Sequence, residues 1–306
     1  MARTTRPIET NYSFGVEKIA HVLDGEETGW HGVRRTDRQG RASLLGMCKE
    51  NYEVVNNSDL VDVARSAFQN LGTSDYEEKL FCTQGGSRFY GEYTFKNKQV
   101  VLPKVGDTIG LRLTLNNSYD RSCKIGFSLG FLRLICGNGM VTDSRDFMLQ
   151  QLHSGKLDLK EVQESIKNAF NSFDADSLEI FGSMAAKKIE QKAGEIILDN
   201  LAIKEFLSAQ AKDSIKMIWE DPTNHATGRN ADAARTLFNL YNACTDHFSH
   251  SENFGYDKFE NQRATSRKVF KQFSRLATQE TELDQWSKRF PEKKKITKKV
   301  ETIAAN

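Results

Sequence analysis

The sequence predicts an α+β fold in which an antiparallel β-sheet or meander from the N-terminal half packs with helices mainly from the C-terminal half. Two observations predict it. The hydrophobic period is two before about residue 150 and helical after about Asp158. Only four prolines and no Ser/Gly linker interrupt the 306 residues, so no strong boundary divides them. The reading is an N-terminal arm at 1–24, one core domain at 25–255, a basic amphipathic helix at 256–290 and a basic disordered tail at 291–306.

The elements follow in order. Ser58 to Leu71 reads as a helix closed by Gly72. Phe89, Gly91, Tyr93 and Phe95 alternate with Arg88, Tyr90, Glu92 and Thr94, and Lys96-Asn97-Lys98 reads as a turn into a short strand at 99–102. Ile109, Leu111, Leu113 and Leu115 line one face of the next strand. A polar loop, Asn116 to Ser122, leads to Cys123, Ile125, Phe127, Leu129 and Phe131, the following antiparallel strand. A phase slip at Phe131-Leu132 suggests a bulge beside Gly130. Thin polar faces on both long strands imply a sheet covered on one side only. Asp158 reads as an N-cap. A helical stretch at 178–219, interrupted, ends before Pro222. Asn230 reads as the cap of a helix whose stripe includes Leu237, Tyr241, Cys244 and Phe248.

Composition excludes several classes. Lys+Arg 43 against Asp+Glu 41 nets +2, so any electrostatic function is local. Residues 286–306 alone net +5, from seven Lys/Arg against two Glu. No apolar run reaches the roughly 18 residues of a membrane span, and the expected location is the cytoplasm. Cys48, Cys82, Cys123, Cys136 and Cys244 form no CxxC spacing, which argues against a disulfide scaffold or structural zinc. Gly85-Gly86 and Gly137-Asn138-Gly139 fit no phosphate-loop fingerprint. No metal and no cofactor are expected.

Four constellations carry chemistry. Tyr119 and Arg121, in a loop of turn-forming residues, offer stacking and phosphate contact to a single strand, with Arg112 and Lys124 on the adjoining strands; a plain turn is the alternative. Cys136 with His153, and Asp120, could form a nucleophile and base if folding joined them, although a Cys among Leu132, Leu134 and Ile135 more often packs as an apolar side chain. Asn242, Asp246 and His250 form a row at i, i+4 and i+8, a ligand or partner face or simply a solvated helix face. Arg263, Arg267, Lys271 and Arg275 recur every four residues, a cationic row suited to phosphates or an ordinary charged surface helix.

At these residues the chain resembles the phage- and plasmid-like family catalogued as Domain of Unknown Function 932. The matching stretches are Trp30-His31-Gly32, then Asn117-Ser118-Tyr119-Asp120 with Arg133-Leu134-Ile135-Cys136-Gly137-Asn138, and Leu240-Tyr241-Asn242-Ala243-Cys244-Thr245-Asp246-His247, over about residues 30–255. His153 matches a family histidine. The family pattern has His at Tyr119, Gly at Arg121 and Arg at Leu152, departures that weaken a catalytic triad here. The resemblance implies a mobile-element protein and supplies no reaction. A strand meander followed by a helix also resembles phage single-strand annealing proteins in outline, at the level of fold analogy. The expected function is therefore single-stranded nucleic-acid binding or annealing by a homo-oligomer in a bacterial host. The alternatives are a nucleic-acid-directed, possibly metal-dependent enzyme with Asp120, His153, Asp246 and His250 convergent, and a host-directed interaction protein.

Overall fold

Asp24 and Gly25 take positive φ values of 52° and 85°, as a two-residue hairpin turn requires, and join β1 (Val16–Leu23) to β2 (Glu26–Thr36). With β3 (Ala42–Lys49) they form a three-stranded antiparallel sheet. The computed structural model describes residues 9–37, 40–103, 106–133, 138–141, 148–151, 158–224, 234–250 and 259–291. Residues 16–23, read from the sequence as part of an arm, are thus a strand. The basic tail lies outside the described residues beyond Pro291.

A second sheet holds β4 (Tyr76–Thr83), β5 (Arg88–Val101), β6 (Thr108–Ser118), β7 (Ile125–Arg133) and β8 (Asn138–Val141) in that order, with β9 (Met148–Gln151) also on β7. The expected neighbours pair antiparallel, Leu111 opposite Phe131 and Leu113 opposite Leu129. Two local expectations are corrected. Lys96-Asn97-Lys98 is an irregularity inside a continuous β5, whose register shifts between Thr94 and Gln99. The β6/β7 register runs unbroken to Ile109 opposite Arg133, so no bulge accompanies Gly130. Instead β7 changes neighbour there, pairing with β9 over Ile125–Ser128 and with β8 over Gly130–Arg133.

Helices cover the apolar face. Phe68 of α1 (Asn57–Asn70) meets Tyr93 and Phe95 edge-on, both at 4.9 Å, and Gly72 follows the helix with φ 66°. Asp158 caps α2 (Leu159–Ala186) by accepting from the Lys160 and Glu161 amides, and Phe170 and Phe173 of that helix pack on Phe95 and Phe131. The other face is covered in part: Tyr90, Thr114, Asn116 and Ser128 are buried on it while Glu77 and Lys79 at the β4 edge are exposed, which corrects the expectation of a sheet covered on one side only.

The interrupted helical stretch resolves into α2, α3 (Gln191–Ile203) and α4 (Ala209–Glu220). Asn230 lies outside the described residues, and α5 spans Leu237–His250. It packs on β8, α2, α4 and α6 (Phe259–Thr278). The expected basic extension belongs to the main core, because Val269, Phe270, Phe273 and Leu276 of α6 and Leu283 and Trp286 of α7 (Glu280–Trp286) are buried in it. Among the described residues no helix is long and apolar enough to cross a membrane.

Candidate functional site

The polar positions singled out in the sequence divide between the two ends of β6. Asn117 lies eight residues from Ile109, the partner of Arg133, a span of about 27 Å along a strand.

At the β6/β7 turn the polar residues join the two sheets. Asn116, Asn117 and Ser118 belong to β6 rather than to a loop, and all three are buried. The Asn117 amide donates to the Val55 carbonyl and to Asn57 Oδ1, each at 2.9 Å. Tyr119 is 1% exposed, packed with Val33, Leu45, Cys48 and Tyr52 in a small core between the sheets. Its hydroxyl accepts the Asn57 amide at 3.2 Å, and Tyr52 donates to the Ser118 carbonyl at 2.6 Å. A ring enclosed in this way cannot stack on a base, so the stacking role expected of Tyr119 is corrected. Burial also pushes its phenol up in pKa. Asp120 pairs with Arg88 at 2.8 Å and accepts the Ser122 amide at 2.9 Å, which ties it into the turn.

Arg121, at φ 62°, and Lys124 remain exposed, with no carboxylate partner among the described residues. Lys18 of β1 comes alongside: its Nζ donates to the Glu50 and Tyr52 carbonyls, and with Arg121 it opposes the upward push of burial on the Cys48 thiol. Sequence reasoning missed Lys18. The Asp24-Gly25 dipeptide was the signal, since it marks the hairpin that turns residues 16–23 into a strand. Trp30 is half-buried, with Lys49 Nζ 4.1 Å from its ring centre.

The other end is buried and polar. Arg112 pairs with Glu92 at 3.3 Å, and its Nε is buried without a partner among the described residues. Gly130 stands opposite Arg112, and one step along the same face Ser128 stands opposite Thr114 and accepts from Arg267 of α6 at 3.2 Å. Thus Arg112 and Arg267 reach one sheet face. The row on α6 is otherwise divided: Lys271 is exposed, Arg275 pairs with Glu282 at 3.0 Å, and Arg263 is described in backbone only. The four residues do not form one outward track, which corrects that expectation.

The Asn242, Asp246 and His250 row is also corrected. Only His250 is exposed, because neighbouring elements enclose α5 along its length. Asn242 is 0% exposed, and neither amide atom has a hydrogen-bond partner among the described residues. The Tyr241 hydroxyl beside it is likewise buried and unpartnered. Burial holds the Tyr241 phenol protonated, with Arg112 pulling weakly the other way. His247 meets Ser214 of α4 at 3.0 Å. Among the described residues no three His, Cys, Asp or Glu side chains cluster as metal ligands would. Arg133 and Asn138, paired across β7 and β8, are described in backbone only, and Cys136 and His153 lie outside the described residues.

Residues 44–290 match the model of the family described as Domain of unknown function (DUF932). The match takes in α6 and α7 and leaves out Trp30-His31-Gly32, whereas the resemblance read from the sequence ran over about 30–255. No curated protein and no solved structure matches the chain.

Proposed function

The chain belongs to the DUF932 family, whose function is unknown, and we propose from its own geometry that it is a phage-encoded single-stranded nucleic-acid binding or annealing protein. It would act in recombination or replication in the host cytoplasm. The observation that carries this reading is the pair of exposed, carboxylate-free cations Arg121 and Lys124 on the β6/β7 turn, with Lys18 beside them. Cations left without acidic partners attract phosphates, and displaced counterions drive the association. Stacking would fall to the half-buried Trp30 in place of the enclosed Tyr119.

Fluorescence anisotropy of a labelled oligonucleotide across about 50 to 200 mM salt tests the proposal. Affinity falls steeply with salt, and Arg121→Ala and Lys124→Ala each lower the logarithmic slope by about 0.7. A flat salt dependence, or an unchanged slope in both variants, overturns it.

A second reading, an enzyme or ligand-binding protein with a polar pocket, rests on the unpartnered Asn242 amide. Buried polar groups without partners call for a ligand, a water or a functional role. A thermal-shift screen of small polar molecules tests it: a ligand that raises Tm in the native protein and not in Asn242→Leu favours this reading over the first.

A further inference from the structure

Four of the seven exposed large apolar side chains among the described residues, Ile19, Val22, Leu23 and Leu44, lie on the small three-stranded sheet, at 36%, 53%, 61% and 63% exposure. Three of them are on β1. Among the described residues that strand pairs with β2 alone, and every residue in it except Val16 is exposed. An edge strand presents a row of backbone donors and acceptors that can template another strand, and proteins usually guard it with proline, charge or a covering segment. No proline stands in β1, and its one lysine is turned away, its Nζ bound to the Glu50 and Tyr52 carbonyls.

We propose that the outer edge of β1 is an interface between two copies of this chain, paired antiparallel about a two-fold axis at Ile19. The order of residues selects both the occupant and the register. With the axis at Ile19, that residue faces its own copy, Val16 faces Val22 and Glu17 faces His21, so apolar meets apolar and acid meets base, while Lys18, its amine bound to the Glu50 and Tyr52 carbonyls, faces Ala20. Moving the axis to Ala20, the other register that overlaps most of the strand, sets Glu17 against Leu23, Lys18 against Val22 and Ile19 against His21, and matches only Ala20 with its own copy. A self-complementary edge is what an isologous dimer requires. The two small sheets become one six-stranded sheet, and the exposed Ile19 gains cover. This interface lies N-terminal to the matched family region, which begins at residue 44.

The test uses the full chain without nucleic acid. Light scattering after gel filtration gives a dimer, and Ile19→Lys, which sets two like charges against each other at the axis, weakens it at least tenfold with an unchanged melting curve. Ile19→Cys forms an intermolecular disulfide on mild oxidation, because directly opposed Cα atoms lie about 4.5 to 5.5 Å apart and a disulfide spans about 4.4 to 6.8 Å. A cysteine at the exposed Met217, away from the edge, does not. A monomer at high concentration with no Ile19→Cys cross-link, or a dimer that Ile19→Lys leaves intact, overturns the proposal.

Discussion

Two buried asparagines show what a hydrogen-bond partner is worth. Asn200 of α3 is fully buried and fully used: its amide donates to the Trp286 and Lys288 carbonyls, both at 2.8 Å, and its Oδ1 accepts the Phe290 amide at 2.9 Å. Asn242 is buried to the same degree, and its side-chain amide bonds to nothing among the described residues. Removing a satisfied amide orphans its partners, whereas removing an unsatisfied one relieves a desolvation cost of about 1 to 3 kcal/mol. Asn200→Leu should therefore destabilise and Asn242→Leu should stabilise by about 1 to 3 kcal/mol, read from urea midpoints at constant slope. His247 supplies a pH dependence. Burial holds its imidazole below the ordinary value of 6.5, with Asp246 acting the other way. The unfolded chain takes the proton first, so this contribution is complete above about pH 6.5 and is lost as the pH falls through the lower folded value. The urea midpoint should drop between about pH 7.5 and 5.5, and by less in His247→Gln.

At the scale of elements, the contact between β3 and the β6/β7 turn fixes the small sheet in place. A Cβ added at Gly46 would fall on the Tyr119 carbonyl oxygen and 2.7 Å from Asp120 Cα, both backbone atoms with little room to shift. Ser87 adds a second tie, its hydroxyl donating to the Leu45 carbonyl at 2.8 Å. Gly46→Ala should cost about 1 to 3 kcal/mol or more, the range for overpacking, while Gly25→Asn, at a turn position open to solvent, should cost little. Denaturation of the two variants side by side checks the ranking. Alternation made β6 and β7 legible in the sequence as antiparallel neighbours, though not their register or the extension of β6 through Ser118. The burial of Tyr119 was not legible, because its partners Asn57 and Tyr52 lie 62 and 67 residues away and residues 26–49, two strands of the sheet that covers it, gave no strand reading.

For the whole molecule, the C-terminal helices complete the core. Leu283 and Trp286 of α7 are buried, Trp286 stacks on Phe206 at 6.4 Å, and Arg275 and Gln272 of α6 both reach Glu282. Ending the chain after Thr278 exposes these groups and leaves Asn200 without its three partners, so the cooperative unfolding transition should be lost or its midpoint lowered by many degrees, as circular dichroism during heating would show. The sequence by itself determined what depends on near neighbours: the α+β class from the change of period, the antiparallel neighbourhood of β6 and β7 from alternation, the α2 cap from Asp158, and family membership from ordered motifs. The tertiary structure alone decided which polar residues are available for function. It enclosed Tyr119 beneath the small sheet and Asn242 among β8 and three helices, and it left Arg121 and Lys124 in solvent. The physical reason is that exposure depends on which distant segments come to lie over a residue, and local pattern records only the residue's own helix or strand.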